Sequence, residues 1–129
     1  MEFVVRPRLG SFSPNADVIV DDDGRRVVAV IEVAGAETES LRIVFDERYL
    51  VISGRRREGT AWRCGSFVQK EIAHGEFVKR IRLPAAVEYE RIGATYEDGF
   101  LIVIAPIAAT AYLPTARTEL HILIKRTNS

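Results

Sequence analysis

Few side chains in this 129-residue sequence are suited to covalent or metal chemistry, and they are dispersed. Cys64 is the single thiol, and His74 and His121 are the two imidazoles. A thiol activated by an imidazole needs a third group to orient the base, and nothing around Cys64 or His74 suggests one. No H-x-x-x-H or C-x-x-C spacing occurs, so no zinc site is expected. Asp21, Asp22 and Asp23 before Gly24 look like the start of a calcium loop. The EF-hand register then places Ile19 at the first ligand position and Val30 at the last, and neither side chain can ligate. A hairpin turn is the expected reading, with Asp23-Gly24 suited to positive φ. No glycine-rich phosphate cradle is present. The basic run Arg55, Arg56 and Arg57 is followed by Glu58 and reads as a solvated strand end. No catalytic residue, cofactor or metal is therefore assigned.

Composition agrees. Eighteen Lys and Arg balance eighteen Asp and Glu, and the pI is 6.7. A nucleic-acid binder usually carries a basic excess, so no nucleic-acid partner is expected, while a neutral chain is free to self-associate. The length suits one domain that buries about two-thirds of its unfolded surface. The longest nearly apolar run, Phe100 to Ala109, contains Pro106 and is too short to span a bilayer. Met1 to Gly10 holds no apolar core of signal-peptide length. A lone cysteine fits a reducing compartment, so the expectation is a cytoplasmic protein with no membrane partner.

The elements read as β. Arg26 to Val33 is rich in β-branched residues and suits a strand buried on both faces. Asp17 to Val20 is a short strand before it. Leu41, Ile43 and Phe45 alternate with Arg42 and Val44, and Tyr49 to Arg55 follows after a hairpin-length connection. Phe77, Lys79, Ile81 and Leu83 alternate up to Pro84, which stops that strand. Ile92, Ala94 and Tyr96 share a face, Asp98-Gly99 makes a turn, and Phe100 to Ala105 reads as a buried final strand. Ala36 to Ser40 has room for one helical turn. Six or seven such strands predict an antiparallel sandwich.

Two segments do not fit a closed sandwich. The interval from Arg57 to Gly75 is long, and its Trp62, Phe67 and Val68 include a strand-like Phe67-Val68-Gln69-Lys70. Either it pairs with a partner chain's sheet edge, or Trp62 folds back on its own domain. In the tail, Leu120, Ile122 and Ile124 lie on one side of an extended strand beyond Pro114. Either this strand adds to another subunit's sheet, or it is the last strand of its own domain.

Several motifs in order resemble the small heat-shock proteins of the alpha-crystallin family. Ala94-Thr95-Tyr96-Glu97-Asp98-Gly99-Phe100-Leu101 is similar to that family's A-x-x-x-n-G-v-L signature, and the strand after it ends at Pro106. Phe77 to Pro84 resembles F-x-R-x-x-x-L-P, with Lys79 in place of the arginine. Leu41 to Gly54 resembles the hairpin ending in I-x-G, Ala34-Gly35 stands where Pro-Gly is common, and Ile122-Leu123-Ile124 matches the I-x-I anchor. Glu71-Ile72 departs from the family's Glu-Arg. The arm is short, with Phe3, Val4, Val5, Leu9 and Phe12 as its apolar residues.

The resemblance implies an all-β, antiparallel immunoglobulin-like β-sandwich with a long strand-exchange loop and extended N- and C-terminal arms. It divides the chain into an arm (1–16), an alpha-crystallin domain (17–106) and a C-terminal extension (107–129). It implies an ATP-independent holdase that binds partly unfolded client proteins and does no covalent chemistry. Leu41, Ile43, Phe45, Ile92, Ala94 and Tyr96 would border a groove filled by Leu120, Ile122 and Ile124 of another subunit, with clients competing for it. Trp62, Phe67, Val68, Arg82 and Val18 would form the dimer interface, the loop crossing to the partner's first strand. Partners would be copies of the chain itself, clients and a longer paralogue. The alternative from another class is a monomeric co-chaperone or adaptor similar to the CS-domain proteins, which lack the loop and the I-x-I tail.

Overall fold

The structure is a computed structural model that describes residues 12–109 and 118–125. The expected arm residues Phe3, Val4, Val5 and Leu9 lie outside the described residues. Among the described residues nine strands run in chain order: β1 Ala16–Val20, β2 Arg26–Glu32, β3 Arg42–Asp46, β4 Tyr49–Arg56, β5 Gly75–Arg82, β6 Gly93–Glu97, β7 Phe100–Pro106, β8 Thr118–Leu120 and β9 Ile122–Ile124. They form a five-stranded sheet ordered β1-β2-β7-β6-β9 and a four-stranded sheet ordered β5-β4-β3-β8. Three short 3-10 turns interrupt the connections, one of them Thr38–Ser40, inside the segment expected to hold a helical turn. The all-β sandwich is thus as the sequence implied, with one parallel pair, β6 with β9, in an otherwise antiparallel arrangement.

Alternation places every second residue of each strand between the sheets. Val27, Ala29 and Ile31 of β2 face Ile43 and Phe45 of β3 and Leu50 and Ile52 of β4 within one fully buried cluster. Turn chemistry sets the registers. Asp21 Oδ1 accepts the backbone N–H groups of Arg25 and Arg26, at 2.9 and 3.2 Å, and Gly24 takes φ 65°. The aspartate run is therefore the hairpin turn joining β1 to β2. Asp98 and Gly99, with φ of 53° and 86°, turn the chain between β6 and β7.

β2 and β7 correct the expectation of strands buried on both faces. Their inner residues are buried, but Val28 and Val30 are half-buried and Phe100 and Ile104 are exposed. β-branched residues on a solvent-facing sheet surface read like the continuous apolar run of a strand covered on two sides.

Candidate functional site

The expected groove residues converge on one flank of the sandwich. β3 borders the four-stranded sheet there, and β6 borders the facing sheet. Leu41, Ile43, Phe45 and Ala94 are buried, while Ile92 and Tyr96 are half-buried against the core. The tail closes both edges. β8 runs antiparallel to β3, with Leu120 opposite Ile43 and Thr118 opposite Phe45. The chain then passes His121 and crosses to the other sheet, where β9 runs parallel to β6 with Ile122 opposite Ala94 and Ile124 opposite Tyr96. The Lys125 N–H donates to the Tyr96 carbonyl at 2.8 Å. Leu120 is buried and Ile122 and Ile124 are half-buried, so the three residues read as an anchor do share one side. The exposed Arg42–Glu119 pair, at 3.0 Å, adds little to their hold. An open cleft of about 400 Å³ beside the tail is lined by Thr38, Leu41 and the tail itself. In the single chain it is the chain's own tail that lies along the edges of β3 and β6.

On the opposite flank, among the described residues, β1 pairs only with β2, and Val18 on it is 43% exposed beside Ile19 and Val20. The long loop carries Phe67, half exposed, and Val68, wholly exposed. Phe67–Lys70 forms no strand in the single chain; the strand expected there is one that pairs with a partner chain's sheet edge, which would satisfy its backbone groups. Lys70 Nζ covers one face of the Phe67 ring at 5.1 Å. Trp62 instead turns inward within the 3-10 turn Thr60–Arg63, and its ring meets His74 edge-on at 4.8 Å. His74 and Lys70 both approach the Glu58 carboxylate, at 3.9 and 3.7 Å. Arg82 is exposed at the end of β5, opposite Tyr49. Thus Phe67, Val68, Val18 and Arg82 are all accessible, while Trp62 belongs to the base of the loop.

The basic run proves to be internal wiring. Arg55 forms a two-point pair with Glu37, and Arg57 Nε reaches the same carboxylate at 2.9 Å. The hydrogen bond from Arg55 holds the Glu37 carboxyl below its ordinary range. Arg56 Nε and Nη2 donate to the Ala73 carbonyl at 2.9 and 2.6 Å, its Nη1 donates to the Ala34 carbonyl at 3.0 Å, and its guanidinium lies 4.5 Å from the Phe12 ring centre. One side chain therefore ties together the loop's return, the turn after β2 and the start of the fold. Sequence reasoning missed this role, because an arginine that bonds backbone carbonyls leaves no partner residue in the pattern. Cys64 is exposed, and its thiol donates to the Ala61 carbonyl. Among the described residues, no cluster of His, Cys, Asp and Glu could hold a metal ion.

Comparison with known proteins agrees with this architecture. A sequence model described as the Hsp20/alpha crystallin family matches residues 17–122. Heat shock protein 16 of Schizosaccharomyces pombe is 32% identical over 103 residues, covering 75% of this chain and 68% of that protein. Small heat shock protein C4 of Rickettsia felis is 26% identical over 94 residues, covering 73% of this chain but only 56% of that protein. The chain thus spans little more than half the length of some relatives it matches. The solved structure of heat shock protein 16.0 from Schizosaccharomyces pombe superposes with a TM-score of 0.70 at 27% identity, over 79% of this chain and 71% of that one. A small heat-shock protein from Xylella fastidiosa shares the fold at a TM-score of 0.64 and 24% identity, over 78% of this chain and 92% of that one.

Proposed function

Because the chain belongs to the Hsp20/alpha crystallin family, whose members are non-enzymatic chaperones, we propose that it is an ATP-independent holdase that captures partly unfolded proteins through the groove its tail occupies. The observation that carries the reading is the pairing of two three-residue tail strands along two otherwise open sheet edges. Of the three apolar tail residues only Leu120 is buried, and Ile122 and Ile124 are half-buried, while every docked residue gives up backbone freedom. A tail held by so little burial exchanges, either for the tail of another copy or for an apolar strand of a client. Exposed strands are what aggregate, and occupying them competes with that aggregation without covalent chemistry.

The same economy supports self-assembly. The open edge of β1 with Val18 and the accessible Phe67 and Val68 suit a dimer in which each loop supplies a strand to the other copy's β1. Exchange of tails between grooves then links dimers into larger particles, with a longer paralogue as a possible co-subunit, and the cytoplasm is the compartment that fits. Heating a model client with the chain, without nucleotide, and separating the mixture by size exclusion tests the reading. The client is expected to stay soluble and to co-elute with the chain. A client that precipitates at the same rate with the chain in excess overturns it. Sedimentation separates the alternative, since a CS-domain-like adaptor sediments as a monomer at all concentrations.

A further inference from the structure

Among the described residues, the outer face of the five-stranded sheet carries exposed apolar side chains that no other element covers. Cross-strand pairing sets Ile19, Val28 and Ile104 in one row, and Val30, Ile102, Thr95 and Leu123 in the next. Ile104 is 38% exposed and Leu123 56% exposed. One end of this face is acidic. Asp17 stands beside Val30, and Glu32 and Glu97 flank Phe100. None of these three carboxylates forms an ion pair among the described residues.

The chain enters the fold at that same end. The Phe12 N–H donates to the Glu76 carbonyl and its own carbonyl accepts from Val78, while the Asn15 carbonyl accepts from Glu32. Arg56, which covers Phe12, also bonds the carbonyl of Ala34, just past Glu32. Phe12, the first described residue, is therefore tied to the turn that follows Glu32 at the acidic end. The residues before it include Phe3-Val4-Val5-Arg6-Pro7-Arg8-Leu9, an apolar segment followed by two arginines. Going back from Phe12, Leu9 comes first, then Arg8 and Arg6, and then Val5, Val4 and Phe3. At about 3.3 Å per residue, Phe3 lies within about 30 Å of Phe12. Crossing the sandwich edge takes about 10 Å, and passing from β1 to β6 takes about 14 Å more.

We propose that the outer face of the five-stranded sheet is the docking surface of the chain's own N-terminal arm, with Phe3, Val4 and Val5 over its apolar rows and Arg6 and Arg8 beside Asp17, Glu32 and Glu97. The apolar rows supply burial for an extended segment. The carboxylates fix its direction and reject an acidic competitor. The surface lies on the opposite side of its sheet from the core, and its rows on β1, β2 and β7 stand away from the tail groove, sharing with the tail only Leu123 beside Thr95, so the assignment does not rest on the chaperone reading.

Disulfide trapping in the full chain tests it. In a Cys64→Ser background, Val4→Cys is combined with Ile104→Cys, and separately with Arg80→Cys on the outer face of the other sheet, which lies nearer the arm's start. The Val4–Ile104 bond is expected to form about tenfold faster than the Val4–Arg80 bond and within one chain. Arg6→Glu with Arg8→Glu is expected to slow it about fivefold, and Glu32→Lys with Glu97→Lys is expected to restore the rate. Equal rates at the two faces, or no response to either charge reversal, overturns the docking. A bond that forms only between two chains assigns the face to a neighbouring copy's arm and overturns the same-chain placement.

Discussion

Gly54→Ala is a small change with a large expected cost. Gly54 follows Leu50 and Ile52 on the inner face of β4 and stands directly opposite Phe77 on β5. Its φ is not in the left-handed region, so the glycine answers to space and not to backbone conformation. A Cβ there would lie 2.5 Å from Phe77 Cζ and 3.0 Å from Leu41 Cδ2. Carbon atoms at rest stand about 3.5–4.0 Å apart, so the ring must move by about 1 Å. Phe77 is fully buried and packs against Phe12, with ring centres 5.4 Å apart, so it has little free space to move into. Overpacking of this kind costs about 1–3 kcal/mol, or about 5–15 °C in Tm for a domain of this size. Differential scanning calorimetry at matched protein concentration reads the change directly. Phe77→Leu removes the clashing atoms, so Gly54→Ala is expected to cost at least about 1 kcal/mol less in that background. An unchanged Tm for Gly54→Ala, or additive costs in the double variant, refutes the close approach as the reason for glycine.

Further outcomes follow from the ion pairs and the tail. The hydrogen bond from Arg55 lowers the Glu37 pKa from its ordinary 4.5, so the stability it lends is fully present above that value and is lost as pH falls through the lowered one. Urea midpoints measured downward from neutral pH should therefore drop more steeply for the natural chain than for Glu37→Gln; parallel curves contradict the assignment. Arg56→Met removes three bonds to the Ala73 and Ala34 carbonyls, and limited trypsin digestion is expected to cut at Arg57 and Arg63 severalfold faster. Equal cutting rates mean that Arg56 does not secure the loop. Ile122→Ala with Ile124→Ala strips the anchor of its branched side chains and is expected to reduce particle mass by multi-angle light scattering; an unchanged mass removes the tail from assembly.

Much of the fold was legible because alternation is a local signal. Ile43 and Phe45, or Phe77 and Ile81, announce which face is inward whatever stands opposite. Asp98-Gly99 and Asp21 to Gly24 declared their turns through residues that tolerate positive φ or cap a backbone. That Leu120, Ile122 and Ile124 share one side of the tail was legible, but the edges they lie against were not. Three apolar residues on one side of a strand carry no mark of which sheet edge takes them. The outer surfaces of β2 and β7 misled for the same reason, since Val28, Val30 and Ile104 do not reveal whether a layer covers them. Arg56 and Gly54 act through backbone carbonyls and through a space left empty, and neither leaves a partner in the sequence.

The central claim is capture of unfolding protein without nucleotide. Light scattering of a heated model protein, with the full chain added in molar excess and ATP omitted, tests it most directly. Scattering should fall as the chain is titrated in, and added ATP should change nothing. Scattering that rises at the same rate and to the same height with the chain in excess contradicts the account.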